Sequence, residues 1–104
     1  MHLILKWKSN LGNIYNLGTL SKEKEYIFEI NEEELKKAIR DGCMGIGNFS
    51  LLNKIEKSNE LFDFFKYRIV GKDSPRVEIF LKRYGLKEYN DMKILEITGA
   101  RSVN

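Results

Sequence analysis

Apolar and polar residues alternate in the first part of the chain and recur at helical spacing in the rest. From residue 2 to residue 8, Leu3, Leu5 and Trp7 point one way and His2, Ile4, Lys6 and Lys8 the other, which predicts a strand. Residues 9–13 supply turn chemistry, because Gly12 and Asn13 accept positive φ more readily than other residues. Ile14 to Leu20 reads as a second strand with Gly18 inside it, residues 21–24 as a polar turn, and Tyr26 to Ile30 as a third strand. On that strand Tyr26, Phe28 and Ile30 share one face. The first thirty residues therefore predict an antiparallel meander.

Helical spacing begins at Asn31, whose side-chain oxygen suits an N-cap, with Glu32, Glu33 and Glu34 where the helix dipole favours negative charge. Leu35, Ala38 and Ile39 form the expected buried stripe, Glu32–Lys36 and Glu33–Lys37 are i,i+4 pairs, and Gly42 closes the helix. Residues 43–52 read as a glycine-rich loop and a short strand. A second helix is predicted from about Ser58, with Leu61, Phe62, Phe65 and Ile69 on one side and Arg68 in the same sector. A guanidinium there must reach out to water or find an acceptor, because unpaired burial is expensive. Ser74 as N-cap and Pro75 at the first helical position open a third helix, with Val77, Phe80, Leu81 and Tyr84 as its buried stripe. Arg76, Ile79 and Arg83 fall on another side, and an exposed isoleucine between two arginines suits a contact surface. After Gly85, a last helix from about Asn90 carries Met92 and Leu95 and ends before Gly99. The expected fold is α+β, an N-terminal antiparallel meander packed with three to four short helices, as a single domain over residues 1–104.

Composition changes this picture little. With 42% hydrophobic and 32% charged residues the chain should fold. Eighteen Lys and Arg against fifteen Asp and Glu leave a formal charge of +3, spread over both halves, which forms no basic tail. The lone Cys43 rules out an intramolecular disulfide and suits a reducing, cytoplasmic setting. No apolar run approaches the length needed to span a bilayer, and the first residues lack the layout of an export signal, so membrane insertion and export are not expected.

Catalytic and metal chemistry find little footing. The spacing of Gly42, Gly45 and Gly47 lacks the strand before and the helix start after that a dinucleotide loop needs, and reads as a helix stop followed by a tight loop. One histidine, His2, and one cysteine do not make a zinc set or a nucleophile–base pair. Neither an enzyme nor a cofactor is expected. Trp7 reads as core on the face it shares with Leu3 and Leu5, or as an interface anchor; Tyr67 and Lys66 lie off the apolar stripe of their helix.

From Leu61 onward the chain resembles the N-terminal domain that precedes the kinase core in HipA-like serine/threonine kinase toxins. Phe62, Phe65, Ser74, Pro75, Arg76, Arg83, Tyr84, Leu95, Gly99 and Ser102 stand at matching places. Upstream, the strand with Trp7, the segment from Tyr15 to Leu20 and the strand from Tyr26 to Ile30 resemble that domain's opening meander. Two departures stand out: Ser50-Leu51-Leu52 lacks the proline of the family's Ser-Leu-Pro-Leu motif, and 104 residues leave no room for a kinase core. The resemblance implies a separately encoded, non-catalytic partner that binds and restrains a HipA-like kinase in a bacterial toxin–antitoxin system, with a DNA-binding repressor as a further possible member of the complex. Trp7, Tyr67, Arg68, Arg76, Ile79 and Arg83 are the expected partner-binding residues. The alternative is a nucleic-acid-binding module using Lys66, Arg68, Lys72, Arg76, Lys82, Arg83 and Lys87, whose affinity would fall steeply with salt.

Overall fold

The computed structural model describes residues 1–47, 49 and 54–99. Among them run β1 (His2–Lys8), β2 (Ile14–Lys22), β3 (Tyr26–Ile30), α1 (Glu32–Arg40), β4 (Ile55–Ser58), α2 (Asp63–Lys66), α3 (Val77–Arg83) and α4 (Asp91–Thr98). The fold is α+β with a β-meander, as the residue pattern predicts. The chain groups into two compact units, Met1–Glu60 and Leu61–Asn104.

In the first unit the four strands lie in chain order and every neighbouring pair is antiparallel. Directly paired residues share a face, so Leu3, Leu20, Phe28 and Glu56 form one row across the sheet. Its centre is dry: Leu20 is 1% and Phe28 0% exposed, while Tyr26 and Ile30 are also buried. The Phe28 ring lies over Gly18, where an added Cβ would stand 2.7 Å from the ring and 2.6 Å from the Glu29 carbonyl oxygen. Glycine inside this strand is therefore a packing requirement. β2 runs two residues beyond the expected Leu20, because Ser21 and Lys22 still pair with Ile27 and Tyr26.

A β-bulge interrupts the first ladder. Leu5 pairs with Gly18 and Lys6 with Asn16, which leaves Leu17 as the extra residue. Its side chain is buried, and its carbonyl accepts the Asn31 N–H at 2.9 Å. The bulge thus holds the residue that starts α1. Asn31 caps that helix as expected, its Oδ1 accepting from the Glu34 N–H at 3.3 Å. At the other end Gly42, at φ +103°, allows a Schellman closure, with Gly42 N–H bonded to the Ile39 carbonyl and Cys43 N–H to that of Ala38. α1 lies against β2 and buries Leu35 and Ala38. Ile39, expected in that stripe, is 44% exposed: the contact is narrow, and one residue beyond Ala38 the helix has turned about 100° away.

β4 was not expected. Its residues, Ile-Glu-Lys-Ser, carry one apolar side chain, and that one is exposed, so no hydrophobic alternation marks them. Pairing with β3, from Tyr26–Ser58 to Glu29–Ile55, makes them a strand. The short strand expected within residues 43–52 falls largely on positions outside those described.

The second unit has shorter helices than its sequence pattern suggests. α2 spans only Asp63–Lys66, without a side-chain cap. Ser58 does not open it: that residue ends β4, and its hydroxyl accepts the Glu60 N–H in a local turn that competes with helix. Leu61 and Phe65 are buried; Ile69, beyond the helix, is half-buried. α3 begins at Val77, not directly after Ser74-Pro75. Those two residues form the preceding turn, in which the Ser74 hydroxyl accepts the Arg76 N–H at 3.2 Å and its carbonyl the Val77 N–H at 3.1 Å. α4 follows its predicted bounds closely, with Asn90 capping through the Lys93 N–H and Gly99 ending it at φ +66°. Met92 and Leu95 are buried as expected, and Ile94 joins them at 0% exposure.

Candidate partner-binding face

α3 carries the side chains to consider first. Gly85, at φ +67°, stops the helix with the same closure as α1, Gly85 N–H reaching the Lys82 carbonyl and Leu86 N–H that of Leu81. The seven-residue helix withdraws no residue fully from solvent. Val77, Phe80 and Leu81 are half-buried, whereas Tyr84, expected at the end of the stripe, is 44% exposed and held against Phe80 with ring centroids 4.7 Å apart. A helix this short, stopped one residue later, offers Tyr84 no further turn to lie under.

Arg76, Ile79 and Arg83 are all exposed, Ile79 at 69%. Their i, i+3, i+7 spacing places them within about 60° of one another, with the arginines about 10 Å apart along the axis. Neither guanidinium forms an ion pair among the described residues. The arrangement is an apolar knob between two planar cations, each able to bind a carboxylate in bidentate fashion.

The other expected contact residues do not all join it. Tyr67, just after α2, is 79% exposed. Arg68 folds back: its Nη1 donates to the Phe64 carbonyl, and its guanidinium sits 3.8 Å from the centre of the Phe64 ring. That contact answers the question its apolar sector raises, and it occupies the group locally. Trp7 belongs to the first unit, half-buried on β1 and stacked on Tyr15 with centroids 6.0 Å apart.

Two surface features of the first unit have no counterpart in the sequence reading. Asp41, just past α1, accepts from the Tyr15 hydroxyl at 2.8 Å and from the Asn13 amide at 3.1 Å. Those bonds, with a further one from Ser9, hold the Asp41 carboxyl below its ordinary pKa, while the bond to Asp41, burial and its negative charge push the Tyr15 phenol up. Lys37 and Arg40 border the same shallow hollow, of about 350 Å³. Residues 13–15 and 41 are too far apart in sequence for any spacing rule to join them. A second hollow, of about 490 Å³, is lined by His2, Thr19, Ser21, Ile27, Glu29 and the start of α1. Glu32 there is held below its ordinary pKa by Lys54 first and Lys36 second.

Among the described residues no three His, Cys, Asp or Glu side chains converge as a metal site would require, and no helix is long and apolar enough to cross a membrane. Comparison of the chain with protein-family models, curated proteins and solved structures gave no match.

Proposed function

We propose that this protein is a non-catalytic binding partner of a separately encoded HipA-like serine/threonine kinase core, acting in the cytoplasm of a bacterium to restrain that kinase. The observation that carries the reading is the outer face of α3: Ile79, 69% exposed, stands between Arg76 and Arg83, both without an ion-pair partner among the described residues. Both arginines are also among the residues of the resemblance to the HipA-like N-terminal domain. Arginine and large apolar anchors with a partner pocket to fill are the usual dominant contacts of a protein interface. Arg68, committed to Phe64, is not counted among these anchors.

The deciding experiment mixes the full chain with the kinase core encoded beside it and follows both complex formation and kinase activity. Wild type should bind and lower the activity, and Ile79→Asp or Arg76→Glu with Arg83→Glu should weaken binding by about tenfold or more. Lack of binding together with unchanged kinase activity overturns the proposal. A gel shift with duplex and single-stranded nucleic acid at two salt concentrations is the companion measurement, and strongly salt-dependent retention there would favour a nucleic-acid partner instead.

A further inference from the structure

We infer that the outer edge of β1 is a docking site for an extended segment of another protein in which acidic and apolar residues alternate. The inference is independent of the kinase reading, which rests on α3. It begins with the backbone. At the two ends of the first ladder Lys22 N–H donates to the Met1 carbonyl and Ser9 N–H to the Asn13 carbonyl, so Met1 and Ser9 turn their main-chain groups toward the hairpin interior. Antiparallel pairing alternates residue by residue, and β1 carries no bulge of its own. Leu3, Leu5 and Trp7 therefore also bond inward, and His2, Ile4, Lys6 and Lys8 turn N–H and C=O outward. Among the described residues β1 pairs with no strand but β2.

The side chains say what strand fits. Leu3, Leu5 and Trp7 remain half-buried where their neighbours Leu20 and Ile30 are 1% and 5% exposed, as expected at an edge that lacks its outer neighbour. On the other face stand His2, Ile4 at 56% exposure, Lys6 and Lys8. An added strand would set apolar residues beside Leu3, Leu5 and Trp7 and carboxylates beside Lys6 and Lys8, each opposite-charge pair a favourable cross-strand contact. A second copy of this chain is a poor occupant. Parallel pairing sets Lys6 beside its own mate, and antiparallel pairing about Leu5 brings the two Lys6 side chains into diagonal reach. Edge lysines are a common guard against such self-pairing.

The test uses the full chain and two capped heptapeptides, one alternating glutamate with valine and the other lysine with valine, with amide hydrogen exchange as the readout. The acidic peptide should slow exchange at the outward amides of Ile4 and Lys6 by about tenfold at saturation and leave those of Leu3 and Leu5, already bonded to β2, nearly unchanged. The basic peptide should do neither. Lys6→Glu with Lys8→Glu should reverse the preference; if that variant does not fold, the two peptides on the wild type still decide. Equal protection by both peptides, protection by neither, or concentration-dependent protection without peptide alongside a dimer in sedimentation overturns the inference.

Discussion

The unit Met1–Glu60 and the unit Leu61–Asn104 use short elements to different ends. In the first, each strand is pinned by main-chain pairing to its neighbour, and the central strands bury Leu20, Phe28 and Ile30 to 5% exposure or less. In the second, helices of four, seven and eight residues are punctuated mainly by local signals, and the middle one buries nothing fully. Helices this short are marginal on their own, since nucleation costs more than a few hydrogen bonds return. A helix held by one half-buried stripe and left exposed on the rest of its surface is suited to present side chains. The sheet unit is built around fully buried residues, and the outer side of α3 around exposed ones.

That contrast can be broken at several places. Phe28→Ala should cost about 3–5 kcal/mol by emptying the centre of the sheet, read from the urea midpoint. A smaller loss than that of Leu81→Ala on α3 would reverse the comparison. Gly18→Val should cost about 1–3 kcal/mol, because the new side chain meets the Glu29 carbonyl and the Phe28 ring. Asn31→Ala should cost about 1 kcal/mol through the lost cap. Tyr15→Phe tests the Asp41 contact through pH. Asp41 titrates below its unfolded value, so its contribution is complete above about pH 4 and is lost as pH falls through the folded value. Removing the hydroxyl should flatten that acid limb in part, leaving what the Asn13 and Ser9 bonds to Asp41 and the lysines beside Glu32 supply, all of the same sign. Denaturation midpoints from neutral pH to about pH 3 measure it. Ile79→Ala should change stability by no more than about 0.5 kcal/mol.

How much was legible from residue order follows the same division. The three meander strands, the Asn31 cap and the glycine stops at Gly42, Gly85 and Gly99 depend on local backbone preference, and residue types carry that preference openly. β4 was not legible because a polar edge strand is defined by its partner. The early start given to α2 failed because a heptad-like run of Leu61, Phe62, Phe65 and Ile69 measures burial, not helix length, and the Ser58 turn intervenes. At the candidate site, the shared face of Arg76, Ile79 and Arg83 follows from spacing alone, whereas the withdrawal of Arg68 onto Phe64 depends on which rotamer finds an acceptor. The outer edge of β1, unpaired among the described residues, could be assigned only once the direction of each main-chain group was known.

The extra residue at Leu17 also settles a matter of parity. In β2 the residues on the α1 side are odd-numbered at Tyr15 and even-numbered from Gly18 to Leu20, so the two halves of the strand are out of step by one. A β1 with strict two-residue rhythm can match both halves only if one residue is looped out between them. If the hairpin slips by one position, one half or the other must turn its apolar residues to water and Phe28 loses its place over Gly18. Leu17 therefore acts as an index mark. Deleting it should bring Tyr15 and Gly18 into step and leave a regular ladder with the same pairs, while the buried side chain and the carbonyl that holds Asn31 are lost.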